Sequence, residues 1–132
     1  MHDYADAAER HFLSADAIHT EHPATASHCY GIAAECVLKA LMSNLQPQVH
    51  RVSGKHIGVS LWSEFANHQT LQTHPSRIAG AIKYQSGFNG WDIGQRYLSR
   101  MSAEFAEAKV SAQSQSARGL LGLLQLVQRG LA

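Results

Sequence analysis

Apolar positions recur at three- and four-residue intervals almost from end to end, the period of helices packing one face inward. Tyr4, Ala8, Phe12, Ala15 and Ile18 or His19 share one side of a first helix over 3–21, with Asp6, Glu9, Arg10 and Asp16 mostly outside that stripe. Asp3 and Asp6 near its start suit the positive end of the helix dipole. His22-Pro23 interrupts the pattern, because proline cannot continue a helix but can open one. A second helix follows over 24–42. Its apolar set, Cys29, Ile32, Ala33, Cys36, Val37, Ala40 and Leu41, covers most of the circumference, so it should be the most buried. Glu35 and Lys39 form an i,i+4 pair on its narrow polar strip.

Residues 43–55, with Pro47 and Gly54, read as a loop. A third helix over 56–69 packs through Ile57, Leu61, Trp62, Phe65 and Ala66. His74-Pro75-Ser76 starts a short helix to about 85, with Ile78 and Ile82 inward. Three glycines in 86–94 mark an ordered loop pinned by Phe88 and Trp91. The last helix begins at 96 or 102 and runs nearly to the end, with a break possible in the small, polar stretch 111–116. Its final part is apolar on more than one face: Leu120, Leu121, Leu123, Leu124, Leu126 and Val127. That run suggests a helix–helix contact between two copies. The expected fold is all-α: a single-domain, up-and-down bundle of four to five helices, with Cys29, Cys36, Val37, Leu61 and Phe65 in one core.

Composition agrees with this pattern. The chain has 132 residues, 45% of them hydrophobic and 16% charged, which suits one ordered globular domain. No apolar stretch approaches the roughly 20 residues of a membrane span, and the acidic start lacks an apolar signal core. Cys29 and Cys36 lie seven residues apart on one helix, about 10 Å between Cα atoms, whereas a disulfide tolerates about 7 Å. Two free thiols suit a reducing cytoplasm. A net charge of +1 does not announce a nucleic-acid binder, although a local basic patch can act alone.

Three segments carry a family resemblance. The second helix reads Ala26-Ser27-His28-Cys29-Tyr30-Gly31-Ile32-Ala33-Ala34-Glu35-Cys36-Val37-Leu38-Lys39-Ala40-Leu41, Gly54-Lys55-His56-Ile57 precedes Leu61, and Trp91-Asp92-Ile93-Gly94-Gln95-Arg96-Tyr97 precedes the last helix. In that order they resemble the HEPN superfamily: its small-residue second helix with an Ala-x-Glu-x-x-Leu-Lys core, its Gly-His start of the third helix and its Arg-Tyr segment. The resemblance implies a helical bundle, commonly dimeric, from a bacterial toxin, defence or RNA-processing system. It implies either metal-independent RNA cleavage or a non-catalytic role beside a nucleotidyltransferase or antitoxin. The family's catalytic pattern is Arg-x4–6-His at the start of the last long helix. A histidine there handles the proton of the 2′-hydroxyl or leaving oxygen, and an arginine supports phosphate charge.

The chain departs from that pattern. Arg96 stands near the family position, but Met101, Ser102 and Ala103 occupy the histidine places. The only Arg-x4–6-His match is Arg51-x4-His56, between the second and third helices, and about one such match is expected by chance. The candidate catalytic residues are therefore His56, Arg96 and Arg51, and the candidate substrate-binding residues are Glu35, Lys39, Lys55 and Tyr97. Against each stands a structural alternative. Glu35–Lys39 can be a plain ion pair, His56 a cap of the third helix, and Arg96 a tie for the glycine loop. Trp62 and Trp91 read as core or loop anchors rather than base-stacking platforms. His19 and His22, around Glu21, lack a second ligand cluster and read as surface histidines. No metal or cofactor is expected. The rival functions are a non-enzymatic module binding a partner protein or nucleotide, and an unrelated helical bundle.

Overall fold

The computed structural model describes residues 2–47, 52–91 and 103–132. Every regular element among them is helical: α1 (Tyr4–Ile18), α2 (Pro23–Met42), α3 (Val59–Asn67), α4 (Pro75–Ile82) and α5 (Ala103–Gln128). Two 3-10 helices, Gln69–Thr73 and Gln85–Phe88, bracket α4. Among the described residues, no helix is long and apolar enough to cross a membrane.

Local chemistry sets the helix ends. The Asp3 side chain accepts the Asp6 backbone N–H at 3.1 Å and caps α1. Pro23 occupies the first turn of α2, where its missing N–H costs nothing. At the far end of α2, Asn44 turns into the left-handed region at φ 52°. There Leu45 N–H reaches Ala40 O at 2.8 Å and Asn44 N–H reaches Leu41 O at 3.2 Å. These two hydrogen bonds satisfy carbonyls the helix leaves open. Gly130, at φ 74°, ends α5 in the same way.

The three longest helices do most of the packing. α2 is buried over nearly all its surface and lies between α1 and α5. Tyr4, Ala8, Phe12 and Ala15 of α1 face it, as do Val110, Ala117, Leu120 and Leu124 of α5. Cys36, Val37, Leu61 and Phe65 lie in this one core and Cys29 packs partly against it. Both thiols are free. Trp91 fills a gap beside α2 where a Cβ on Gly31 would collide with its indole, and it donates Nε1–H to Ser27 O at 2.8 Å. Trp62 is likewise buried, edge-on to Phe65. Both tryptophans are anchors.

Three expectations need correction, the first that Ile82 of α4 lies inward, since it is 40% exposed. α5 runs unbroken through 111–116. Its small polar residues there are close-packing positions: Gln113 is buried and accepts the Ser27 hydroxyl at 2.5 Å, and Ser116 packs on Gly87. α3 starts at Val59, not 56, with Gly58 at its cap position, so His56 does not cap it. At the apolar end of α5 the chain covers part of the run, with Leu120, Leu124 and Val127 buried and Leu123 packed over Gly80. Leu126 and Leu131 remain exposed.

Candidate functional site

The polar strip of α2 is not at the surface. Lys39 is 2% exposed and Glu35 7%, burial that charged residues reach only when paired. One turn of α2 brings them together, with Lys39 Nζ donating to Glu35 Oε2 at 2.9 Å. A buried ion pair needs further polar contacts to offset its desolvation. Glu35 finds one in His56, whose Nδ1 lies 2.9 Å from Oε1. Lys39 finds another in the ring of Tyr4, 5.9 Å from Nζ to centroid, a cation–π arrangement. Lys39 also sits in the last turn of α2, where the helix dipole favours a cation.

His56 reaches this pair from the segment leading into α3. Ile57 is buried beside it and fixes the chain. Val52 N–H donates to the Tyr4 hydroxyl at 3.3 Å, tying the start of this segment to α1. The His56 side chain is 41% exposed. The residue thus has one nitrogen on a buried carboxylate and an open face to solvent. Neighbouring Lys55 is turned toward Glu64, Nζ to Oε2 3.8 Å, over a shallow groove lined by Ser60 and Ser63.

α1 and α2 run antiparallel, with Tyr4 against Lys39 and Phe12 against Tyr30. That register sets His11, two turns beyond Tyr4, within the field of Glu35. Burial first, and the adjacent Arg10 charge second, hold the His11 imidazole below its usual range, while Glu35 pulls the other way. Burial and then the Glu35 charge push the Cys36 thiol up to about 12. A thiol held protonated is no nucleophile, so Cys36 is a packing residue.

No protein-family model, curated protein or solved structure matches this chain. The site is therefore read from its own geometry.

Glu35 and Lys39, one turn apart on α2, share one cluster with His56, 21 residues beyond Glu35. Glu35 and Lys39 support it from beneath instead of lining an open cleft, because their charged ends are spent on each other, His56 and Tyr4. Lys55 is close by in sequence but faces Glu64. Arg51, Arg96 and Tyr97 lie outside the described residues. His11 and the Tyr4 hydroxyl were not singled out in the sequence. Their only signal there is their i,i+7 spacing along the buried face of α1. Among the described residues, no group of three or more His, Cys, Asp or Glu side chains could hold a metal ion.

Proposed function

We propose that this chain is a HEPN-like domain in which His56, positioned by Glu35, cleaves RNA by acid–base chemistry without a metal. The observation that carries the reading is the 2.9 Å contact between His56 Nδ1 and the buried Glu35 carboxylate. A carboxylate on Nδ1 selects the tautomer with its proton there, which turns the Nε2 lone pair toward the exposed side of the ring. In the proposed reaction Nε2 takes the proton of a ribose 2′-hydroxyl as that oxygen attacks the adjacent phosphorus. The 5′-oxygen then leaves with a proton returned from the imidazolium. Such proton transfer is worth about 10²–10⁴ in rate. Lys55, half exposed and adjacent in the chain, supplies a cation for the phosphate; the resemblance gives Arg96 the same role, and Arg51 is the arginine of the chain's own Arg-x4-His match. Dimerisation through the end of α5, where Leu126 and Leu131 are exposed, belongs to the same proposal, and sedimentation at micromolar concentration tests it.

One observation favours a second reading. Both oxygens of Glu35 are taken by protein partners, the pattern of an ion pair kept for structure. The same surface would then bind a partner protein, such as a nucleotidyltransferase or an antitoxin. Incubation with varied single-stranded RNAs and a chelator separates the two readings. The ribonuclease predicts cleavage that H56A abolishes and E35Q reduces, both variants being folded. No cleavage by the wild type on any of the RNAs would leave the interaction module.

A further inference from the structure

A second polar junction, remote from His56 along the bundle, borders a recess that the proposed reaction does not use. The Tyr30 hydroxyl donates to Asp16 Oδ1 at 2.5 Å, and Asp16 Oδ2 accepts from Arg118 Nη2 at 3.2 Å. The Arg118 guanidinium also lies over the Phe12 ring, 5.2 Å from its centroid. Arg118 is thereby held in one place although 65% of its side chain is exposed. Nη2 is its one bonded nitrogen among the described residues, so Nε and Nη1 remain as donors.

These donors border a recess of about 660 Å³ between the α1–α2 turn and one face of α5. That volume lies within the range of small-molecule sites, about 300–1,000 Å³. Ser111, Ser114 and Arg118 follow one another along α5 at helical spacing, and His19 stands on the facing wall. The Ser114 hydroxyl is engaged with Tyr30, which leaves an arginine, an imidazole and the Ser111 hydroxyl, a donor set that suits the several oxygens of a phosphate better than the two of a carboxylate. The recess is far larger than a phosphate group, and Pro23 and Val110 give it an apolar floor for an organic body. Glu107 stands at the other end, eleven residues from Arg118 and so about 16 Å along the axis. A carboxylate there accepts hydrogen bonds from hydroxyl or amino groups.

We propose that this recess binds a small organic phosphate of nucleoside-monophosphate size, phosphate toward Arg118 and His19 and polar far end toward Glu107. The proposal does not depend on RNA cleavage, and its test reads binding alone. The full-length chain is titrated with AMP, inorganic phosphate and adenosine, each to about 10 mM, and amide shifts are followed by ¹H–¹⁵N NMR. AMP should move the signals of His19, Ser111, Ser114 and Arg118. Phosphate should move only the His19–Arg118 end, and adenosine should bind at least about tenfold more weakly than AMP. R118Q should weaken AMP binding by the same factor. S111Y, on an exposed face of α5, should block it without touching the core, which keeps the test valid if R118Q fails to fold. No shift at these amides with AMP, adenosine binding as tight as AMP, or unchanged binding in either folded variant would overturn the proposal.

Discussion

Glu35 and Asp16 are each held by two partners, yet they stand in opposite surroundings. Glu35 joins a buried lysine and a histidine beneath the surface. Asp16 joins a buried tyrosine hydroxyl and an arginine that is mostly in water. In the first case both charges have left solvent, so each depends on the other. In the second, water shares the work, and the carboxylate keeps a partner whichever one is removed. Burial, more than the number of hydrogen bonds, should set the cost of breaking each junction.

The largest effect should follow from Lys39→Met. The long apolar side chain keeps most of the packing but leaves the Glu35 carboxylate buried without its cation. Breaking one side of a buried pair costs about 3–5 kcal/mol, and the loss should appear in urea unfolding midpoints. Adding Glu35→Gln to Lys39→Met should recover much of it, since the orphaned charge is then gone. A single variant within about 1 kcal/mol of wild type would mean that this pair is not held as the geometry describes.

Next in size is Tyr30→Phe. A hydrogen bond to a charged group contributes about 1.5–3 kcal/mol, and Asp16 still has Arg118 and water, so the lower end is expected. The pH dependence is the sharper readout. Burial first, and the bond to Asp16 second, push the Tyr30 hydroxyl from its ordinary 10 up to about 12. Above pH 10 the unfolded chain releases this proton while the folded chain keeps it. This contribution is therefore fully present below pH 10 and is lost as pH rises through about 12. The stability gap between wild type and Y30F should narrow between pH 9 and pH 11. A gap that stays constant would place the Tyr30 proton elsewhere than on this bond.

The fold was far more legible in the sequence than the junctions. Helical periodicity located all five helices because apolar burial obeys the local 3.6-residue repeat, and the stripe of Tyr4, Ala8, Phe12 and Ala15 appears in the structure as the buried face of α1. Periodicity could not tell a packed small-residue stretch from a weak one, so 111–116 suggested a break where Gln113 and Ser116 in fact make close contacts. Nor could it show that a polar strip was buried. Glu35 and Lys39 looked exposed because their cover comes from Tyr4 and from the segment carrying His56, which approach from distant parts of the chain. The Asp16–Arg118 pair, 102 residues apart, left no local trace at all.

The smallest effects separate two ion pairs that the same rule ranks against their distances. Arg10 Nε lies 2.8 Å from Asp6 Oδ2, closer than the 3.2 Å between Arg118 and Asp16. The Arg10–Asp6 side chains are 65% and 62% exposed, on adjacent turns of one helix. Such pairs couple by about 0.3–0.5 kcal/mol. Asp16 is only 31% exposed, and Arg118 rests on Phe12. Water screens that pair less, and ring contact removes part of the ordering cost, so its coupling should reach about 1 kcal/mol. Double-mutant cycles with Asp→Asn and Arg→Gln changes measure both. Added salt should weaken both couplings, and the Arg10–Asp6 coupling by the larger fraction, because solvent ions reach it from more sides. If the Arg10–Asp6 coupling equals or exceeds that of Asp16–Arg118, then distance rather than burial ranks the pairs, and the contrast between the two junctions fails with it.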